Sequence, residues 1–181
     1  MVIKMETMKC IETRRSIRNF LDKPIERDII EKLVIEAQYA PTWKNAQTTR
    51  FTAITDKAVL SEIKATLVSF NAAVVSSCTL LMAISVISKR SGYEKDGTPT
   101  TIYGDAYTYF DCGTTVENFC LAANDLGIGT VILGIFDPIK IKAILQIPES
   151  EDLPVLIACG YHDGIAQMPK RRPLEEVLRI I

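Results

Sequence analysis

Between Lys64 and Lys89 the chain runs for 24 residues without a charged side chain. Such a run has to leave water, either in a bilayer, which a helix of about 20 apolar residues can span, or inside a protein. Five serines, two threonines and Asn71 dilute it, and its two halves differ. Residues 60–70 read as helix, whereas residues 78–87 (CTLLMAISVI) form the short continuous apolar segment expected of a buried strand. The run is therefore expected as sheet core and not as a membrane span.

The rest of the composition fits one globular domain over residues 1–181. With 21 Lys+Arg against 22 Asp+Glu the net charge is −1, which removes the usual electrostatic ground for a nucleic-acid binder. Cys10, Cys78, Cys112, Cys120 and Cys159 are odd in number and form no CxxC pair. They read as reduced, buried thiols of a cytoplasmic protein, without the spacing of a zinc site. Residues 1–13 carry Lys4, Glu6, Lys9 and Glu12 and no apolar core, so they are not expected to be a signal peptide.

A helical stripe over residues 25–40 ends before Pro41, and residues 50–55 alternate as a strand. Asp56 is placed to cap the next helix. Residues 89–109, rich in glycine and tyrosine, predict a long loop of the kind that often forms a lid. A nearly uncharged helix is expected from Asp105 or Phe110 to Leu126; apolar on most sides, it needs cover all round, which a second copy of the chain could supply. Gly127 should end it, followed by a strand over residues 130–135, a helix opened by Asp137 and Pro138, and a strand over residues 153–159. The tail, residues 169–181, is basic and then amphipathic. These elements predict a mixed α+β fold.

Chemistry-bearing groups are few. His162 is the single histidine, and its GYHDG setting reads as a surface turn more readily than as a base. Gly127-Ile128-Gly129 lacks the third glycine of GxGxxG and runs from helix to strand, so it reads as a helix cap and not as a dinucleotide loop. No GxSxG elbow or GxxxxGK[ST] loop occurs. Any bound phosphate must then be held by side chains, and two clusters offer them: Arg14, Arg15, Ser16 and Arg18, and Lys170 with Arg171 and Arg172. Each could equally be a solvated surface. Residues 41–47 (PTWKNAQ) carry amides able to meet a heterocycle edge, although Trp43 could simply plug a gap in the core.

Taken together, RRSIRNF at residues 14–20, APTWKNAQTTRF at 40–51, ENFCLAANDLGIGTVILGIFD at 117–137 and PKRRPLEEVL at 169–178 resemble, in order and spacing, the FMN-dependent nitroreductase family. The resemblance implies an α+β fold with a mostly antiparallel central sheet flanked by helices, assembled as an intertwined homodimer with FMN at the interface. It further implies that Arg14 and Ser16 hold the FMN phosphate with help from Arg15, and that Arg18 lies near the pyrimidine edge. Thr42, Trp43, Asn45 and Gln47 would line the flavin from the other subunit. Leu133 and Gly134 would sit over the ring, with the Gly134 N–H near N5, and Arg171 with Lys170 would close on the phosphate.

The implied activity is ping-pong transfer of hydride from NADH or NADPH, through the flavin, to a nitro compound, quinone or free flavin. No metal and no protein acid, base or nucleophile is called for, because the chemistry belongs to the cofactor. Trp43, bulky where the family commonly has small residues, and Leu133, where some members carry an acid, could crowd the substrate face. That suggests the alternative of a flavin-binding or redox-sensing protein with little turnover.

Overall fold

The computed structural model describes residues 6–164 and 166–181. Five of the residues read as lacking a signal peptide, 1–5, fall outside them. Strand β2 (Leu80–Ile87) takes up the second half of the uncharged run and lies between β1 (Thr49–Ile54) and β4 (Glu151–Tyr161). Strand β3 (Ile128–Leu133) pairs with the other side of β4, giving the order β1-β2-β4-β3 with all three pairings antiparallel. Successive side chains of a strand point to opposite faces. Leu80, Met82, Ile84 and Val86 enter one core and Leu81 and Ala83 the other, each with no exposed surface. A strand buried on both sides has no place for a charge.

Helices α2 (Arg27–Gln38) and α5 (Ala106–Asp125) cover the first face through Leu33, Ala37, Val116, Phe119 and Ala123. Helices α3 (Lys57–Thr66), α4 (Ser69–Ser77) and α6 (Pro138–Leu145) cover the second through Leu60, Ile63, Val74, Val75 and Ile141. Each fully buried large aliphatic contributes about 1.5–3 kcal/mol by leaving water. Helix α1 (Thr7–Thr13) is tied to α5, where the Asn124 side-chain amide donates to the Cys10 carbonyl at 3.0 Å. A short α7 (Leu174–Val177) sits in an exposed tail.

Local signals set the ends of these elements. Asp56 accepts from the amides of Ala58 and Val59 at 2.9 and 3.0 Å, and Asp137 from those of Ile139 and Lys140, with Pro138 at the first helical position. Gly127, at φ +71°, turns α5 into β3.

Three expectations need correction. The predicted helix over residues 60–70 is interrupted, because Leu67 and Val68 are extended and separate α3 from α4; the Thr66 hydroxyl bonds back to the Ile63 carbonyl there. Strand β3 starts two residues early, directly after the Gly127 turn. The long loop is no open flap. It bonds to itself through Glu94 and Thr98, Ser91 is wholly buried, and the Lys89 amide donates to Asp105 at 2.8 Å. A Cβ on Gly92 would lie 2.3 Å from the Gly104 carbonyl oxygen, so the two ends of this loop are in backbone contact.

Candidate functional site

The extended segment after α1 runs along the free edge of β3. The Ile17 amide donates to the Thr130 carbonyl at 2.9 Å, and Ser16 forms a parallel bridge with Thr130. This places Arg14 and Arg15 in the wall of a cavity of about 330 Å³, with Thr130, Asn124 and His162 around it. None of the described residues lining it is acidic. Two guanidinium groups in a wall without a carboxylate of its own suit an anion with several acceptor oxygens. A Cβ on Gly129 would sit 2.8 Å from both Ile17 Cβ and His162 Cδ2, so glycine is what lets the arginine segment and the histidine close on the strand. Arg14 is held loosely, its Nε 3.6 Å from the half-exposed Glu117 carboxylate. Arg15 Nη1 donates to the Glu12 and Arg14 carbonyls at 2.6 and 2.8 Å. Arg18 is exposed, and its Nη1 donates to the Ser16 carbonyl at 3.2 Å.

The 41–47 loop is built differently. Lys44, Asn45 and Gln47 all have positive φ, at 43°, 56° and 48°. A left-handed conformation costs a non-glycine residue roughly 1–2 kcal/mol, so something must hold the loop. That anchor is Asp111 on α5, whose two carboxylate oxygens accept from the Trp43 amide at 3.0 and 2.9 Å while one also accepts from the Ser91 hydroxyl at 2.6 Å. Asp111 is buried. The Trp43 ring packs on Tyr107 with centroids 4.3 Å apart, and Thr42 Oγ1 accepts from the Gln47 amide. Asn45 and Gln47 face solvent, and Lys44 pairs with Glu94 at 3.0 Å. Trp43 Nε1 is buried with no hydrogen-bond partner. An unmatched buried donor costs about 1–3 kcal/mol, a further cost that the packing of this loop must offset.

On β3 the alternation of the strand decides which side chain is available. Leu133 is only 4% exposed and belongs to the core beneath α3 and α6, so its side chain cannot lie over a ligand ring as expected. Ile132 is 46% exposed and shares a face with Thr130, making it the accessible apolar group of this segment. Gly134 follows with open space where a Cβ would be. Lys170 and Arg171 lie in the exposed tail, and neither lines the arginine cavity. The single chain thus brings together Arg14, Arg15 and the start of β3, and separately the 41–47 loop, but leaves the basic tail apart.

The thiols are not candidates for chemistry. Burial pushes Cys78 up to about 12 and Cys112 and Cys120 up to about 11, and Cys159 well above its ordinary value. All five cysteines are free and buried. Among the described residues no group of three or more His, Cys, Asp or Glu side chains could hold a metal ion, and no helix is long and apolar enough to cross a membrane.

The sequence model of the nitroreductase family matches residues 11–161, which spans the arginine segment, the 41–47 loop and all four strands. The chain belongs to the nitroreductase family. A protein of Archaeoglobus fulgidus named as an NADH dehydrogenase/NAD(P)H nitroreductase is 30% identical over 160 residues, covering 86% of this chain and 85% of its own length. A nitroreductase family protein of Streptococcus pneumoniae has a solved structure that superposes with a TM-score of 0.85 at 21% identity, covering 97% of this chain and 100% of that one. A Staphylococcus epidermidis protein named as an NAD(P)H:FMN oxidoreductase superposes with a TM-score of 0.84 at 19% identity, over 99% and 98% of the two chains. The α+β sheet described above is therefore the nitroreductase fold.

For a member of this family, the acid-free lining of the arginine cavity at the start of β3 fits a phosphate, and the exposed Ile132 with the open space at Gly134 further along the strand fits a flat ring, so the residues present suit a flavin mononucleotide. Three groups in or beside these sites escaped the sequence reading. Ile132 was legible only from strand parity. His162 follows β4 in a stretch without regular structure, and it lines the arginine cavity. Asp111 is 68 residues from the amide it holds, and no local signal marks it. A larger cavity of about 1040 Å³ lies between α2, α3 and α4, and none of the predicted site residues lines it.

Proposed function

We propose that this nitroreductase-family chain is a single-domain NAD(P)H-dependent oxidoreductase that carries FMN and works as a homodimer. The observation that carries the reading is the cavity of Arg14 and Arg15 against β3, cationic and free of carboxylates among its described lining. When bound, FMN would accept hydride from NADH or NADPH and pass it to a nitro compound, a quinone or a free flavin.

The chain's own residues bind and orient. Arg14 and Arg15, with the Ser16 hydroxyl, take the phosphate by charge-assisted hydrogen bonds. Strand β3 leads from that cavity toward Ile132 and Gly134, a rise of about 13 Å over four residues. Ile132 offers an apolar surface to the ring, and the open space at Gly134 lets a ligand reach its backbone N–H. Arg18, exposed beyond the cavity, is available to the pyrimidine edge, where reduction accumulates negative charge. Thr42, Trp43, Asn45 and Gln47 of one copy would meet the cofactor of the other, and Lys170 and Arg171 would close over the phosphate from the tail.

A second copy is supported by apolar side chains that one chain leaves in water. On and before α5 these include Ile102, Tyr103 and Phe110, and in the tail Leu174, Val177 and Ile180, all more than 60% exposed. The alternative of a flavin binder without turnover drew on crowding by Trp43 and Leu133. Trp43 packs inward on Tyr107 and Leu133 lies in the core, so the ground for it is weak. Anaerobic addition of NADH and of NADPH to the FMN-loaded protein separates the two. Rapid bleaching of the flavin is expected, and persistence of the oxidised spectrum with both nucleotides would leave only the binding protein.

A further inference from the structure

We propose that His162 is a phosphate ligand of the FMN site, and that it takes up a proton when FMN binds. The inference rests on the FMN reading above and adds to it a residue to which that reading gives no role. His162 follows directly on β4, in the wall of the cavity that Arg14 and Arg15 line. Its ring cannot settle deeper, because Cδ2 already packs against Gly129, where even a Cβ would come within 2.8 Å. Nδ1 lies 3.0 Å from the Gly164 carbonyl oxygen. A carbonyl oxygen only accepts, so Nδ1 carries a proton, and in the neutral ring Nε2 is left with a lone pair.

A lone pair facing a phosphate oxygen is repulsive, whereas a protonated Nε2 donates a charge-assisted hydrogen bond. Arrival of the dianion therefore favours the doubly protonated ring. The charged groups around the cavity are Arg14 and Arg15, which keep their charge throughout, and Glu117 on α5, which is paired with Arg14. Asp163, next in the chain, is exposed to solvent. The other named wall residues, Asn124 and Thr130, do not titrate. The phosphate monoester, with a second pKa of about 6, is already dianionic at pH 7.5, so proton uptake there reports the imidazole.

The test is calorimetric titration at pH 7.5 in two buffers of different ionisation enthalpy, with FMN and with riboflavin, which lacks the phosphate. The wild type, His162→Gln and His162→Ala are compared. Gln sets an amide N–H near the place of Nε2, without the titration.

The expected result is net proton uptake with FMN for the wild type and none for either variant. FMN affinity should fall about tenfold or more in His162→Ala and less in His162→Gln, with riboflavin affinity alike in all three. FMN binding without proton uptake, or FMN and riboflavin affinities falling together in the alanine variant, would overturn the assignment while leaving the FMN reading intact. Should the alanine variant not fold, the proton count of the wild type against His162→Gln decides alone. No FMN binding to the wild type would overturn both this assignment and the FMN reading.

Discussion

In the proposed dimer the arginine cavity and the 41–47 loop are two ends of one site, and they are built on opposite principles. At the cavity, Arg14 and Arg15 sit on a segment bonded to the edge of β3, with Gly129 allowing close packing beneath. Among the described residues lining it none is recorded with positive φ, and the single chain assembles the cationic wall unaided. The loop has three strained residues, an unsatisfied indole N–H and exposed amides, and its main anchor is one buried carboxylate. The basic tail is further from completion, with every described residue from 167 onward exposed. The difference teaches which parts stand complete in one chain: the phosphate end is preformed, while the exposed amides of the loop and the basic tail are where the proposed second copy and cofactor would act.

If that contrast is right, the largest effect should come from removing the loop's anchor. Asp111→Ala leaves the Trp43 amide and the Ser91 hydroxyl without their acceptor and is expected to cost about 2–4 kcal/mol of stability by urea denaturation. Proteolytic cuts in the variant should concentrate in residues 41–47 and 88–105 and spare the segment along β3. Cuts spread evenly over the chain would erase the distinction between the two ends.

Next in size is Arg14→Ala, at the preformed end. Loss of a charge-assisted contact of about 1.5–3 kcal/mol should weaken FMN roughly ten- to a hundredfold in equilibrium titration, with little change in stability. Unchanged affinity would remove Arg14 from the site.

The core that both ends share makes a third test, through pH. Burial holds the thiols of Cys78, Cys112 and Cys120 above their ordinary value of 9.0, at about 12, 11 and 11. A folded pKa above the unfolded one gives stability that is complete below pH 9 and is lost as pH rises through the folded value. Each thiol should therefore lower stability by about 1.4 kcal/mol per pH unit between pH 9 and 11. Replacing the three with alanine should reduce that slope, leaving the share of Cys159, and an unaltered slope would show that the three thiols are not the cause.

The smallest effect concerns loop strain. Lys44→Gly removes a left-handed lysine and an exposed ion pair of little worth, so thermal unfolding should show a gain of about 0.5–1 kcal/mol. A loss would mean that the pairing of Lys44 with Glu94 matters more than the backbone.

Much of the fold was readable because its signals are local. A strand buried on both faces must lack charge, and the run before Lys89 lacks it; Asp56, Asp137-Pro138 and Gly127 act within a turn of where they stand. The arginine segment could be found for the same reason. What escaped depends on distance or on parity. Asp111 serves an amide 68 positions away, and His162 reaches the cavity because β4 ends beside β3. Leu133 and Ile132 differ by one position, and a family motif marks the segment without saying which of two neighbours faces the core. The break between α3 and α4 was hidden because both halves are apolar and helical.

The central claim is that the anionic end of FMN sits against Arg14 and Arg15 at the start of β3. A crystal structure of the protein with FMN tests it most directly. The expected result is the phosphate within hydrogen-bond distance of the Arg14 guanidinium, the ring near Ile132 and Gly134, and loop 41–47 of a second copy against it. FMN bound elsewhere, as in the cavity between α2, α3 and α4, with Arg14 still beside Glu117, would contradict the account.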